Sequence, residues 1–449
     1  MNVGIDSISF DIPQLFLNIK TLAENRNIEP EKLTNGLGLH KMSLLDVHQD
    51  VVTMASNAVL KLIRQEQLEP SEISRIYVGT ESGVDSSKPV GSYVLSNLEI
   101  LCGDASFRNC DAIDITFACI GAIDALQNCL DFIRLNPQKK AIVVATDIAK
   151  YDLCSTGEYT QGAGAIAMLV TANPRIISFS QQVGVATQGV FDFFKPRRYI
   201  SKTSIGIDDN SEWNGVLEQE ISLYKEQPVF DGHYSNQCYI NRIGEAYDHY
   251  KSESEQKGKL YENWNGILMH LPYCYQGRRT FVEIFAKENP ELLESQLGES
   301  SKDKIKSLAK SPEYLAIVNK KIHPSEIASG QVGNIYTGSI FLGLLSTLCF
   351  HYEEKTDISN AKFGFIAYGS GSKSKVFEGE IAIDWQQQIE KVDLFKYLES
   401  RIEIDFETYE QLHKKELSKS IILPVNEFYL NDIERENPVL IGARNYKFA

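Results

Sequence analysis

The sequence predicts an α/β fold on three observations. Apolar β-rich runs alternate with segments whose apolar residues recur every three or four positions, glycines punctuate the exchanges, and no repeat or low-complexity tract interrupts the pattern. Residues 3–12 read as a strand. Residues 51–65 place Val52, Ala55, Ala58, Val59 and Leu62 at helical spacing, and residues 76–78 are again apolar and β-rich. Residues 116–119 lead into a helix whose Ile123, Leu126, Cys129, Leu130 and Ile133 form one apolar face, followed by the strand-like AIVVA of 141–145. A glycine-bearing stretch, 157–167, feeds a further apolar run at 168–171. Together these make a sheet with helices on both faces.

Beyond residue 175 the pattern loosens. An aromatic and basic stretch occupies 191–199, a polar helical run 240–259, and a charged segment 288–310 reads as a solvated amphipathic excursion. Ordered α/β character returns at 335–350 and at 362–368, where an apolar strand runs into Gly369-Ser370-Gly371-Ser372.

The 449 residues suggest two or three domains of ordinary size. With 45 Lys+Arg against 60 Asp+Glu, the formal charge of −15 argues against nucleic acid and anionic membrane surfaces as partners. An anionic ligand then needs a local basic patch. The apolar stretch 339–350 is too short to span a bilayer, and the N-terminus lacks a basic region followed by an apolar one, so no signal peptide is expected. Eight cysteines without CxxC pairs fit free thiols in a reducing cytoplasm, and the eight scattered histidines give no metal site.

Five positions could carry chemistry. Cys119 follows an apolar stretch and opens a helix, whose free N–H groups and dipole favour a thiolate; a small buried hydrophobe is the plainer alternative. Cys129 belongs to the apolar face of the same helix. Glu81, in GTES after the strand ending at Val78, is either a general base with a raised pKa or a solvated loop carboxylate. His270, in the apolar context ILMHLPY, is either catalytic or a buried histidine bonded to backbone. Asn334 lies between small residues in GNIYTGS, where it offers hydrogen bonds to a ligand or caps the helix that follows. The turn around Ser370 can aim N–H groups at a substrate oxygen or simply reverse the chain.

Taken together, GTES at 79–82, FACIGA at 117–122, TDIAKY at 146–151, STGEYTQGAGAIAML at 155–169, FDGHYSNQCY at 230–239, HLPYC at 270–274, GNIYTGS at 333–339 and YGSGS at 368–372 resemble, in order and over nearly the whole chain, hydroxymethylglutaryl-CoA synthases of the thiolase superfamily. The resemblance implies a duplicated thiolase-like fold, helix-sheet-helix-sheet-helix with two mixed five-stranded sheets. Residues 1–172 would form the half bearing the nucleophile, and 173–449 the second half, with insertions near 190–325. It implies condensation of acetyl-CoA with acetoacetyl-CoA, with Cys119 acylated, Glu81 as general acid/base and His270 orienting acetoacetyl-CoA. No cofactor is needed beyond the CoA thioesters.

Asn334, Ser370, Tyr336 and Thr160 match positions near the acyl group, and Asp231 one that helps organise the site. Arg279 falls where the family places a basic residue for CoA phosphates. Tyr275 stands where many relatives carry Lys, so Arg278 or Arg279 would substitute, with Lys195, Arg197 and Arg198 as further candidates. A cytoplasmic homodimer in mevalonate and isoprenoid synthesis is implied likewise. The alternatives are a β-branching synthase acting on carrier-protein-bound β-ketoacyl groups, a Cys-His-Asn ketoacyl synthase, which has no use for Glu81, and an idle scaffold of the same fold.

Overall fold

The computed structural model describes residues 1–254 and 256–449. Ten strands form one continuous sheet. Residues 3–172 supply β1 (Val3–Asp11), β2 (Ile73–Gly79), β3 (Asp111–Ile115), β4 (Lys140–Ala149) and β5 (Gly162–Ala172). Residues 177–381 supply β6 (Ile177–Phe179), β7 (Gly184–Thr187), β8 (Gly266–Met269), β9 (Lys362–Gly369) and β10 (Lys373–Ile381). The order is β8-β9-β10-β6-β1-β5-β4-β2-β3, with β7 also on β10. Each group of five is mixed: β4, β2 and β3 run parallel and β5 antiparallel to β4, while β8 and β9 are parallel and β10 is antiparallel to β9. The two groups meet edge to edge through the short β1–β6 ladder at Gly4 and Ile5.

Strand alternation sorts side chains into three cores. Ala141, Val143 and Ala145 of β4, Ile166, Met168 and Val170 of β5, and Phe363, Phe365 and Ala367 of β9 all face one central core. Two helices fill it: α3 (Gly121–Leu135), through Ile123, Leu126 and Ile133, and α7 (Ser339–Glu353), buried from Ser339 to Cys349; Ala328 and Val332 of α6 (His323–Val332) join them. The opposite faces pack outward. Ile142, Val144, Ala165 and Leu169 meet α1 (Val51–Glu66) and α2 (Val90–Cys102), whereas Ile366, Val376, Ile267 and Met269 meet α4 (Gly232–Glu253) and α5 (Gln276–Glu288). The layering is therefore helix, sheet, helix, sheet, helix. Each fully buried Leu, Ile or Phe contributes roughly 1.5–3 kcal/mol, so most of the stability resides in these sheet faces.

Local chemistry sets the boundaries. Asp50 caps α1 through the Val52 and Thr53 amides, with Thr53 reciprocating, and Gln67 ends it in the left-handed region. The polar run read at 240–259 is in fact α4, which starts at Gly232 because Asp231 caps it and ends at Glu253; position 255 lies outside the described residues. The charged segment 288–310 is not a free excursion. It forms helices Pro290–Glu294 and Ser301–Leu308, whose Leu292, Leu293, Ile305 and fully buried Leu308 close the outer core of the second group.

Two glycines bring the central helix against the strands that carry the catalytic loops. A Cβ on Gly79 would lie 2.2 Å from the Ala122 amide, and one on Gly121 would lie 2.4 Å from the Ile115 carbonyl. Gly79→Ala is therefore expected to lower stability by about 1–3 kcal/mol in urea unfolding. Gly91→Ala is expected to be neutral or slightly stabilising, because its Cβ meets nothing closer than 3.5 Å and sits in a helix.

Candidate active site

Cys119 ends the turn between β3 and α3, with Ala118 before it in the left-handed region at φ 40°. It is 8% exposed and packs with Ala149, Tyr151 and Tyr336, flanked by Phe193 and Phe230. Its Sγ faces Oε2 of Glu81 at 3.7 Å. Burial pushes the thiol well above its ordinary pKa, and the neighbouring Glu81 and Asp147 carboxylates push it further. The helix-start argument predicts the opposite direction. Desolvation and two like charges outweigh the partial charge of a helix end.

Glu81 extends from the loop after β2 and is buried. Its other oxygen, Oε1, is ion-paired with Lys195 Nζ at 2.8 Å, and that ammonium lies 4.5 Å above the Tyr336 ring. Lys195 is thus turned inward to a carboxylate, away from the surface position that a phosphate contact requires. It rides on a strap held by a two-residue ladder, Phe193 with Phe230 and Phe194 with Val229.

The Glu81 loop is fixed by Asp147 of β4. Its Oδ1 accepts from Thr80 Oγ1 at 3.0 Å, the Glu81 amide at 2.9 Å and Ser82 Oγ at 2.8 Å. Its Oδ2 accepts from the Thr337 amide at 3.2 Å. Thr337 in turn accepts from the Ala122 amide at 2.8 Å, so residues 334–339 are fastened to both catalytic loops. Burial and the Glu81 charge raise the Asp147 pKa.

His270 follows β8 and is 2% exposed. Ser339 Oγ accepts from the Leu271 amide at 3.2 Å and lies 2.6 Å from His270 Nδ1. When the serine hydrogen goes to Nδ1, the neutral ring carries its proton on Nε2 as a donor. Tyr239 OH donates to the His270 carbonyl at 2.7 Å. Burial lowers the imidazole pKa to about 3.

Asn334 is buried; its Oδ1 accepts from the Tyr336 amide at 2.8 Å, and its backbone N–H donates to the Thr160 carbonyl at 2.9 Å. Tyr336, at φ 42°, lies between Cys119 and Lys195. Ser370 is in the turn after β9, where neighbouring Gly369 abuts Phe117 and Ile120 of the cysteine loop. Asp192, which the sequence reading passed over, anchors that turn by accepting from Tyr368 OH at 2.5 Å and the Gly371 amide at 2.7 Å.

Asp231 is exposed and caps α4 through the His233 and Tyr234 amides. Arg279 donates to the Gly36 carbonyl at 2.7 Å on the surface. Arg278 does not supply a free cation: it is held by the buried carboxylate of Glu326 and stacks 3.9 Å over Tyr275. Arg198 lies on an exposed strand, and Arg197, with Glu81, Lys195 and Tyr224, lines a cleft of about 550 Å³. A second cleft of about 630 Å³ begins at Ser82 and Gly83 and carries Lys150, Lys415 and Arg435. No charge pattern along the chain marks these three cations together, because Lys150 follows β4 whereas Lys415 and Arg435 are brought to the cleft by the C-terminal segment. Among the described residues no cluster of His, Cys, Asp and Glu is arranged to hold a metal.

Residues 1–175 match the family model for the N-terminal part of hydroxymethylglutaryl-coenzyme A synthase, and residues 221–423 the model for its C-terminal part. A hydroxymethylglutaryl-CoA synthase of Enterococcus faecalis is 32% identical over 446 residues, spanning 99% of this chain and 100% of that one. This chain belongs to the hydroxymethylglutaryl-CoA synthase family. A second hydroxymethylglutaryl-CoA synthase, from Haloferax volcanii, is 31% identical over 92% of this chain and 91% of its own. The solved structure of MvaS in complex with 3-hydroxy-3-methylglutaryl coenzyme A matches with a TM-score of 0.82 at 27% identity, over 100% of this chain and 99% of that one. The curacin-pathway HMG synthase, at 21% identity and a TM-score of 0.79, shares the fold.

In this synthase the neutral imidazole makes folding pH-dependent. His270 titrates near 3 when folded and near 6.5 when unfolded, so between those values the unfolded chain binds more protons. Its contribution to stability is complete above about 6.5 and is lost at about 1.4 kcal/mol per pH unit as pH falls towards 3. Urea unfolding at pH 6.5, 5.5 and 4.5 should show a shallower loss for His270→Asn than for the native chain.

Proposed function

We propose that the chain condenses acetyl-CoA with acetoacetyl-CoA and water to give 3-hydroxy-3-methylglutaryl-CoA and CoA, through an acetyl-Cys119 intermediate. The observation that carries this reading is the 3.7 Å approach of Glu81 Oε2 to Cys119 Sγ, which sets a carboxylate beside any acyl group on that sulfur. Cys119 displaces CoA from acetyl-CoA. Glu81 then takes a methyl proton of the acetyl thioester, and the resulting carbanion bonds to C3 of acetoacetyl-CoA. The C3 oxygen gains the negative charge, faces the His270 Nε2–H and receives the proton back from Glu81. Water finally cleaves the Cys119 thioester, leaving a carboxylate and restoring the thiol. A donor aimed at the developing oxyanion and a positioned carboxylate are what this chemistry asks of a site.

Asn334, Ser370, Tyr336 and Thr160 surround the acyl group, and Asp231 fixes the start of α4, which carries Tyr239 to the His270 carbonyl. Arg279, on the surface beside Gly36, is the proposed phosphate contact, with Arg197 on the cleft beside Glu81 as a second candidate. Residues 1–172 and 173–449 act as the two halves. Mevalonate and isoprenoid synthesis follows from the product, and eight free thiols suit the cytoplasm. Among the described residues no helix is long and apolar enough to cross a membrane. The assembly is a homodimer that continues the sheet across β3, an edge strand that bears exposed Ile113 and neighbours α2, which bears exposed Ile100 and Leu101.

Supplying acetyl-CoA and acetoacetyl-CoA tests the reaction: hydroxymethylglutaryl-CoA should accumulate with release of CoA thiol, and its absence with these free thioesters overturns the reading. Cys119→Ser is expected to abolish acetyl-enzyme. Glu81→Ala should still acetylate, since it removes a like charge beside the thiol, but condense about 10²–10⁴-fold more slowly. Ile113→Lys should shift the molecular mass measured by light scattering from dimer to monomer.

A further inference from the structure

Lys195 has two features that the proposed reaction does not explain. It is a buried ammonium, 11% exposed at the side chain, and it engages one oxygen of the carboxylate whose other oxygen faces the nucleophile. Its surroundings are otherwise acidic or aromatic. Glu81, Asp147, Cys119, Tyr224 and Tyr336 face it from five separate stretches of chain, and Arg197 is the cation nearest in sequence on the same cleft wall. Among the described residues Glu81 has no other ion-pair partner.

We propose that Lys195 is the positioning residue of the condensation: its grip on Oε1 and its seat over the Tyr336 ring keep Glu81 ionised and point Oε2 at the methyl group of acetyl-Cys119. The proposal rests on the reaction above and adds a residue to it. Two buried carboxylates beside each other do not both stay ionised without a cation. Asp147 receives four hydrogen bonds, from Thr80, Glu81, Ser82 and Thr337, but no ammonium, and burial with the Glu81 charge raises its pKa, so the one cation beside the two carboxylates sits on Glu81. Glu81 depends on Lys195. When Glu81 accepts the methyl proton it becomes neutral while Lys195 keeps its own proton, so the ammonium is uncovered at the moment negative charge moves onto the substrate. The strap that carries Lys195 is pinned before it by the pairs Phe193–Phe230 and Phe194–Val229 and after it by the ladder of Arg198–Ser201 with Glu220–Leu223, and Phe193 and Phe230 pack around Tyr151 and Tyr336. The aromatic wall thereby sets the reach of the ammonium.

The test compares native, Lys195→Met and Lys195→Arg enzymes. In Lys195→Met, kcat at pH 7 should fall about tenfold or more, with KM for both thioesters little changed, and the acid limb of kcat should move up by about one pH unit or more. Lys195→Arg should restore both readouts most of the way. An unmoved acid limb, or a rise in KM at constant kcat as expected for a phosphate contact, overturns the proposal. Infrared spectra provide a readout without substrate: Lys195→Met should show a protonated-carboxyl band at pH 7 that disappears in Lys195→Met combined with Glu81→Gln. A band that persists in the double variant assigns the proton to Asp147 and overturns the proposal, as does no band at all. Lys195→Gln, uncharged but still a donor, serves for the same readouts if the methionine variant fails to fold. Native enzyme that makes no product refutes the reaction itself, whereas active native enzyme with unshifted variants refutes only the role of Lys195.

Discussion

The site is built around one buried carboxylate. Asp147 collects the Thr80 hydroxyl, the Glu81 amide and the Ser82 hydroxyl on one oxygen and the Thr337 amide on the other. Those donors come from the loop after β2 and from the segment that leads into α7, so a single side chain in β4 sets the distance between the proposed base and the second group of strands. Thr337 passes the constraint on to α3 through Ala122, and Ser339, two residues further, passes it to His270. Saturating a buried carboxylate with donors offsets its desolvation, and leaving any one donor unpaired would cost about 1–3 kcal/mol.

Electrostatics follow from the same geometry. The interior beside Cys119 holds two carboxylates, one ammonium and a thiol, enclosed by aromatic rings that screen little. A thiol there stays protonated until a substrate arrives, which protects it from adventitious oxidation. His270, with no carboxylate partner and a hydroxyl on Nδ1, remains a neutral donor throughout the physiological range. Cations from separate parts of the chain line the clefts beside the Glu81 loop: Arg197 in one, and in the other Arg435 with Lys150 and Lys415, which share the Glu226 carboxylate, while Arg278 is held by a buried glutamate.

Much of this was legible in the chain itself. Periodicity located α1, α3, β4 and α7 to within a few residues, because strong amphipathic or wholly apolar patterns survive any tertiary context. Cys119, Glu81 and His270 stood out by their setting at strand ends. Asp147 and Ser339 did not, although both lie inside quoted motifs, because their importance depends on partners 65 or more residues away. The thiol pKa was not legible, because a sequence displays the helix start but neither the burial of Cys119 nor the two carboxylates folded against it. Residues 288–310 read as solvated since charge dominates the segment, yet a few apolar residues at helical spacing suffice to dock it.

The central core ties the two groups of strands into one unit. Because α3 and α7 are buried together between strands from both groups, neither group completes its inner hydrophobic face alone. At the outer helices a change of side chain is felt by one group only, whereas in the shared layer it alters the packing of both. A chain cut between the groups would therefore leave an apolar layer open on each piece, with no partner to cover it.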